Sequence, residues 1–174
     1  MNYLKIEKTS IANGEGIRVV LWCSGCRLHC KGCHNPETWC LNSGKLFDED
    51  AKKELFEALN KSYIQGITFS GGHPLENENL EEVYKLIVEI RNKFSNKDIW
   101  LYTGYQLENI LNNPLRDMNT TLKRRIVEMC DIVVDGKYIE EERDITLKWR
   151  GSRNQRVINV KESLKENKIV LYNN

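Results

Sequence analysis

Residues 17–33, IRVVLWCSGCRLHCKGC, join a strand-like run to a cluster of cysteines. The run from Ile17 to Cys23 is rich in β-branched and aromatic residues, which predicts a strand. The cysteines that follow, Cys26, Cys30 and Cys33, are separated by three and two residues. Clustered cysteines in a chain without an export signal more often hold metal or perform redox chemistry than form disulfides. The segment therefore predicts a metal or redox centre directly after a strand.

Strand and helix patterns alternate through the rest of the chain. Three short runs predict further strands that end at glycine, at residues 67–70, 98–103 and 131–135. Apolar residues at helical spacing predict helices over about 48–63, 77–94, 107–111 and 122–129. This alternation predicts an α/β fold with mainly parallel strands, whose ligand site lies at their carboxyl ends. Because an eight-stranded barrel takes about 250 residues, the 174 residues predict a partial (open) βα barrel in a single domain, 1–174.

Charge and hydropathy exclude several classes of protein. The chain has 26 Lys and Arg residues and 25 Asp and Glu residues, so its formal net charge of +1 argues against a dedicated nucleic-acid binder. Its longest uncharged stretch near the apolar peak, Val19 to Cys26, is far shorter than the roughly 20 residues that span a bilayer. The first residues, MNYLKIEKTS, lack the apolar core of a signal peptide. We therefore expect a cytoplasmic protein with neither a nucleic-acid nor a membrane partner.

The spacing of the cysteines leaves several kinds of site open. A structural zinc site would pair Cys23 with Cys26 and Cys30 with Cys33, although such sites usually place a dozen or more residues between their pairs. A disulfide framework is less favoured, because the chain is large and lacks an export signal.

A third possibility takes Cys26, Cys30 and Cys33 as one unit. Three thiolates hold three irons of a [4Fe–4S] cluster, and the missing ligand leaves the fourth iron open for a substrate. The remaining cysteines would then be spectators: Cys23, Cys40 and Cys130.

The three-cysteine spacing after a first strand resembles the signature of the radical S-adenosylmethionine superfamily. Other blocks resemble, in the same order, the small activating proteins of anaerobic ribonucleoside-triphosphate reductase. These blocks are residues 13–18 (NGEGIR), 25–39, 42–44 (NSG), 70–75 (SGGHPL), 97–105 (KDIWLYTGY), 134–137 (VDGK) and 149–155 (WRGSRNQ). The resemblance covers residues 1–156, leaves 157–174 as a variable C-terminal tail, and implies a partial barrel of the radical S-adenosylmethionine type.

The resemblance implies an oxidoreductase that activates this reductase, similar to the activating enzyme of formate C-acetyltransferase. Cys26, Cys30 and Cys33 would bind a [4Fe–4S] cluster, whose open iron would bind S-adenosylmethionine. An electron from a donor such as flavodoxin or ferredoxin would cleave that cofactor to a 5′-deoxyadenosyl radical. The radical would take hydrogen from a glycine of the reductase's large subunit, leaving a glycyl radical. An activase of a different glycyl-radical enzyme and a zinc-stabilised interaction module remain the alternatives.

The resemblance also implies contacts to S-adenosylmethionine. Gly71 and Gly72 follow a strand, where the lack of side chains lets the backbone approach the methionyl end. His73 stands where the family usually carries an acid that accepts from the cofactor's ammonium group, and a neutral imidazole offers one acceptor and no charge. The residues expected near the adenine are Gly32, Cys33 and His34.

A basic stretch without acids lies near the end of the resemblance. Its members are Lys148, Arg150, Arg153 and Arg156. A solvated surface and a docking site for the reductase, with Trp149 as an apolar anchor, are equally favoured by the sequence.

Overall fold

The computed structural model describes residues 1–172. In this part of the chain seven strands form one sheet, in the order β3-β1-β2-β4-β5-β6-β7. The strands are β1 (Asn2–Ser10), β2 (Arg18–Cys23), β3 (Lys45–Leu46), β4 (Gly66–Gly71), β5 (Asp98–Tyr102), β6 (Ile132–Asp135) and β7 (Arg156–Asn159). The central strands β2, β4, β5 and β6 are parallel, whereas the outer strands pair antiparallel. The predicted α/β class with a parallel centre is confirmed, and the sheet does not close.

Helices follow the strands and cover one face of the sheet. They are α1 (Glu49–Leu59), α2 (Leu80–Lys93), α3 (Leu107–Leu111), α4 (Met118–Glu128) and α5 (Val160–Glu166). The carboxylate of Asp48 fixes the start of α1, because it accepts a hydrogen bond from the Ala51 backbone N–H at 2.9 Å. α1 ends before the position near Tyr63 that the sequence predicts. No helix within residues 1–172 is long and apolar enough to cross a membrane.

The two faces of the sheet differ in chemistry. Alternate side chains of β2, including Val19 and Leu21, lie in the large apolar core beneath the helices. The opposite face carries a smaller cluster around Trp100, against which the non-helical residues Trp149 and Tyr172 pack. Loops rather than helices therefore border this second face, and they leave room for a cavity.

Both edges of the sheet differ from the sequence-based prediction. β1 precedes the first predicted strand and pairs antiparallel with β2. The expected variable tail, 157–174, contains most of β7 and all of α5, and β7 extends the sheet by pairing with β6. Residues 173–174 of that tail lie outside the described residues. The assignment of residues 1–174 to one domain stays a prediction.

Candidate functional site

A cavity of about 370 Å³ lies at the carboxyl ends of the parallel strands. Its wall contains the thiols of Cys26, Cys30 and Cys33 together with the segment 71–73 that follows β4. The strand-end glycines of β5 and β6, at positions 104 and 136, belong to the same wall. The strand ends therefore meet at one place, as the alternating pattern predicts. A larger cavity of about 640 Å³ adjoins it through these two glycines, and no cysteine lines it.

The loop that carries the three cysteines is held by backbone hydrogen bonds to the segment that follows it. Gly25 N donates to Thr38 O at 2.7 Å, and Cys26 N donates to Trp39 O at 3.0 Å. Gly25 has a φ of +94°, which favours glycine at this turn. His29 also has a positive φ, of 43°, and its ring stacks on Trp39 with centroids 4.6 Å apart. The loop is thus wound into a fixed shape and does not extend freely from β2.

The three thiols differ in exposure. Cys26 and Cys30 are 7% and 8% exposed, and Cys33 is partly buried. Burial raises the pKa of the Cys26 and Cys30 thiols, and a bound metal would favour their deprotonated form. The backbone N–H of Asn35 points at Cys33 Sγ, 3.4 Å away. Among residues 1–172 no three Cys, His, Asp or Glu side chains are already grouped as ligands of a single ion.

The other three cysteines lie away from the cavity wall. Cys23 is fully buried in the core beneath the helices, which raises its pKa to about 12. Cys130 is also fully buried, and its thiol donates to Ile126 O at 3.2 Å. Cys40 is exposed. These positions agree with the interpretation of Cys23, Cys40 and Cys130 as spectators.

The glycine pair after β4 packs against the cysteine loop. Gly72 N donates to Cys23 O at 2.8 Å, and His73 N donates to Gly25 O at 2.7 Å. A Cβ atom on Gly71 would lie 2.7 Å from Cys23 O, and one on Gly72 would lie 2.6 Å from Gly25 O. Both contacts are too short for a side chain. The pair is therefore required for the close approach of two backbone segments, in addition to any contact with a ligand.

His73 is enclosed between Thr103, which follows β5, and Glu76, three residues further along the chain. The ring is 2% exposed, and its Nε2 lies 2.8 Å from Thr103 Oγ1. Its Nδ1 has no hydrogen-bond partner among the described residues and lies 3.6 Å from Glu76 Oε1. Glu76 is 4% exposed, and the His73 ring, followed by the N–H groups of Arg27, lowers the pKa of Glu76 to about 2. An ionised carboxylate thus stands behind the histidine.

Glu76 and Arg27 were missed by the sequence analysis. The signal was an acid three residues after His73, together with an arginine between two of the cysteines. Neither feature by itself predicts the contact between Glu76 and Arg27, because the sequence does not show which segments meet.

Of the residues expected near an adenine, Cys33 and His34 line the cavity and Gly32 does not. His34 lines the cavity, and its ring lies 5.1 Å from that of Tyr138. Gly32 is not part of the cavity wall, and a Cβ atom there would overlap the carboxylate of Glu140. With a φ of +69°, Gly32 serves the turn between the second and third cysteines.

The basic stretch is largely engaged within the chain. Arg156 binds the carboxylates of Asp135 and Glu108, and Arg150 donates to Gln155 O at 2.6 Å. Arg153 pairs with an acid at position 144. The ring of Trp149 packs edge-on against Trp100, so it is not a free apolar anchor. These contacts give most of the stretch a structural role in holding the loop that borders the cavity.

Comparisons with known proteins agree with this geometry. Residues 12–158 match a family described as a 4Fe-4S single cluster domain. The anaerobic ribonucleoside-triphosphate reductase-activating protein of Enterobacteria phage T4 is 42% identical over 159 residues, which cover 90% of this chain and 93% of that protein. The chain belongs to this activating-protein family. Proteins of the same name from Haemophilus influenzae and Escherichia coli K12 are each 38% identical over 157 residues, covering 89% of this chain and 96% of theirs.

Membership in the activating-protein family confirms the resemblance found in the sequence. The matched region contains the three cysteines of the cavity wall and the glycine pair after β4. A 4Fe-4S domain in a family named for activation of the anaerobic reductase supports the function that the sequence predicts, which is formation of the glycyl radical.

Proposed function

We propose that this chain activates an anaerobic ribonucleoside-triphosphate reductase by generating a glycyl radical in its large subunit. One observation carries the proposal: three cysteine thiols and the glycine pair after β4 share one cavity at the carboxyl ends of the parallel strands. Ligand sites of α/β folds lie at this end of the sheet. The proposal includes the finer fold assignment, in which the open sheet is a partial βα barrel of the radical S-adenosylmethionine type.

The donor set of the cavity fits an iron–sulfur cluster. Cys26, Cys30 and Cys33 would supply three thiolates, the ligands that such clusters use. The Asn35 N–H that points at Cys33 Sγ is a donor for ligand sulfur, a contact that tunes cluster potentials. Three protein ligands leave one iron for a small molecule.

The remaining wall fits S-adenosylmethionine. The cavity volume, about 370 Å³, lies within the roughly 300–1,000 Å³ of small-molecule sites. The Gly71–Gly72 backbone would face the methionyl end, and the His34 and Tyr138 rings would flank the adenine. His73 belongs to the same wall, with its Nδ1 3.6 Å from Glu76 Oε1.

When bound, the cluster and S-adenosylmethionine supply a one-electron reductive cleavage whose 5′-deoxyadenosyl radical takes a hydrogen atom from a glycine of the reductase. The protein's own contribution is to orient these groups and to exclude water. Trp22, Tyr102 and Trp149 form an aromatic part of the cavity wall. A flavodoxin or ferredoxin would supply the electron, and the reducing cytoplasm would keep the free thiols available.

The test is to purify the protein without oxygen, reconstitute it with iron and sulfide, and record its visible and electron paramagnetic resonance spectra. Reduced protein is then mixed with S-adenosylmethionine and candidate glycyl-radical proteins. We expect a brown cluster and a glycyl-radical signal with the anaerobic reductase. Cys40→Ala is the matched control for Cys26→Ala, because Cys40 is exposed and away from the cavity. A glycyl radical formed only on another protein would show that the chain activates a different glycyl-radical enzyme. A colourless, zinc-loaded protein would overturn the proposal.

A further inference from the structure

The segment that follows the glycine pair holds the peptide next to the first cysteine of the cavity through one buried carboxylate. Arg27 N donates to Glu76 Oε1 at 2.9 Å, and Arg27 Nη1 donates to Glu76 Oε2 at 2.6 Å. Glu76 is 4% exposed, so both of its oxygens act in a site that is largely closed to water. Charge-assisted hydrogen bonds of this kind are about twice as strong as neutral ones.

A second acid binds the same arginine in a different way. Glu78 receives the Arg27 guanidinium through both of its oxygens, one of them at 2.8 Å from Nη1. Its side chain is 46% exposed, and it makes no hydrogen bond to the Arg27 backbone. Exposed ion pairs contribute little to protein stability. The chain thus offers two carboxylates on one arginine, of which only the Glu76 carboxylate holds the cysteine loop itself.

The Glu76 contact is one of a series that follows the loop peptide by peptide. Residues 72–79 also bind the backbone carbonyls of the three residues before Cys26. Gly72 N donates to Cys23 O and His73 N donates to Gly25 O. Asn79 Nδ2 donates to Ser24 O at 2.9 Å. Within this series in residues 1–172, Glu76 is the one contact made by a charged side chain.

We infer that Glu76 is a positioning residue for the cluster, fixing the Cys26–Arg27 peptide and placing a negative charge beside the first ligand. The inference rests on the proposed function, because it takes Cys26 as a cluster ligand. Two effects follow. Loss of the acceptor releases the Arg27 N–H and loosens the loop at Cys26. Loss of the charge alone makes an added electron less unfavourable, because net charge near a cluster sets its reduction potential.

The experiment compares Glu76→Ala, Glu76→Gln and Glu78→Ala in the full chain, reconstituted without oxygen. Iron per chain after gel filtration and the midpoint potential of the cluster are measured, with thermal unfolding of the metal-free proteins as a check of folding. We expect Glu76→Ala to lose most of its iron, while Glu78→Ala retains the wild-type content. Glu76→Gln keeps an oxygen that accepts from Arg27 N, so it should restore iron binding and shift the midpoint potential to a more positive value.

Each result has a defined meaning. If Glu76→Ala and Glu78→Ala lose the same amount of iron, the guanidinium pairing and not the backbone contact matters, and the inference is wrong. If Glu76→Gln binds iron at an unchanged potential, the charge part of the inference is wrong. A Glu76→Ala protein that fails to fold leaves the decision to Glu76→Gln. A wild-type protein that binds no cluster would instead refute the proposed function, which separates the two failures.

Discussion

The two ends of the parallel strands differ in whether every buried polar side-chain atom has a partner. At the amino end, the fully buried Arg18 is satisfied on every nitrogen: Nε donates to Thr68 Oγ1 at 2.9 Å, Nη1 to a loop carbonyl, and Nη2 to Asp98 at 2.5 Å and to Ile67 O. At the carboxyl end, His73 Nδ1 and Trp39 Nε1 are the buried side-chain polar atoms within residues 1–172 that lack a partner.

This difference bears on which end of the sheet contributes to stability and which end contributes to chemistry. Buried polar groups in proteins are normally paired, so an unpaired one needs an explanation. His73 belongs to the cavity wall, and the Trp39 ring stacks on His29 of the cysteine loop. We therefore expect Arg18 at the amino end to stabilise the sheet and the carboxyl end to hold the ligand. Substitutions at the two ends should therefore have different effects.

The largest effect is expected at the three cysteines of the loop after β2, in contrast to Cys23 at the end of β2 itself. Cys26→Ala, Cys30→Ala or Cys33→Ala should abolish cluster assembly and cleavage of S-adenosylmethionine, because each removes one of three thiolates. Cys23→Ala should keep the cluster and lose only stability, since this thiol lies in the core beneath the helices. Iron content and visible absorption measure both. Equal iron loss in Cys23→Ala would mean that Cys23 also serves the cluster and is not only a core residue.

At the amino end, Arg18→Met should destabilise the metal-free protein by about 3 kcal/mol, because it leaves buried acceptors without their charged donor. The measurement is urea unfolding. Arg116→Met is the control, since Arg116 is exposed and such substitutions usually stay within about 0.5 kcal/mol. Molecules that remain folded should still assemble the cluster. A folded Arg18→Met protein without iron would show that the two ends are coupled.

At the carboxyl end, Gly72→Ala should cost about 1–3 kcal/mol and lower the iron content, because its Cβ would meet the backbone oxygens of Gly25 and Thr38 at 2.6 and 2.9 Å. Gly104→Ala is the matched substitution in the same cavity wall. Its Cβ would meet the end of the Leu28 side chain, which can move aside. Unfolding curves and iron content of both variants should differ accordingly, and equal losses would contradict a backbone origin of the effect.

The smallest effect at neutral pH concerns Glu76. The His73 ring and the Arg27 N–H groups lower the pKa of this carboxyl to about 2 from 4.5. The unfolded chain therefore takes up the proton first, so the stability from Glu76 is present above about pH 4.5 and is lost as the pH falls toward 2. Glu76→Gln should flatten this part of the pH dependence of unfolding in the metal-free protein. An unchanged acid limb would show that the carboxylate is not held as the structure indicates.

Sequence reasoning located the centre of the fold and missed its edges for physical reasons. β2 and β4 are buried on both faces, and their β-branched and aromatic residues predict strands. β1 lies between the two-residue β3 and β2, and its charged residues Lys5, Glu7 and Lys8 interrupt the apolar pattern, so it resembles a loop. β7 is four residues long and gives little periodicity.

The candidate site was predictable where it depends on local spacing. The three cysteines of the cavity wall follow one another within one loop, and a spacing rule finds them. The roles of His73 and Glu76 depend on which distant segments meet, since His73 contacts Thr103 on the next strand unit and Glu76 contacts Arg27 on the previous one. No local pattern contains that information. The cofactor roles assigned to residues 32–34 and 71–73 stay predictions.

The hydrogen bonds from residues 72–79 to the cysteine loop have a consequence for biosynthesis. A nascent chain that has emerged only through α1 already carries all three cysteines, but it lacks the segment that binds the carbonyls of residues 23–25 and the N–H of Arg27. The loop cannot reach its final shape until β4 has paired with β2 and the next segment has followed. We therefore expect the iron–sulfur cluster to assemble only after residues 72–79 have been synthesised and have packed against the cysteine loop.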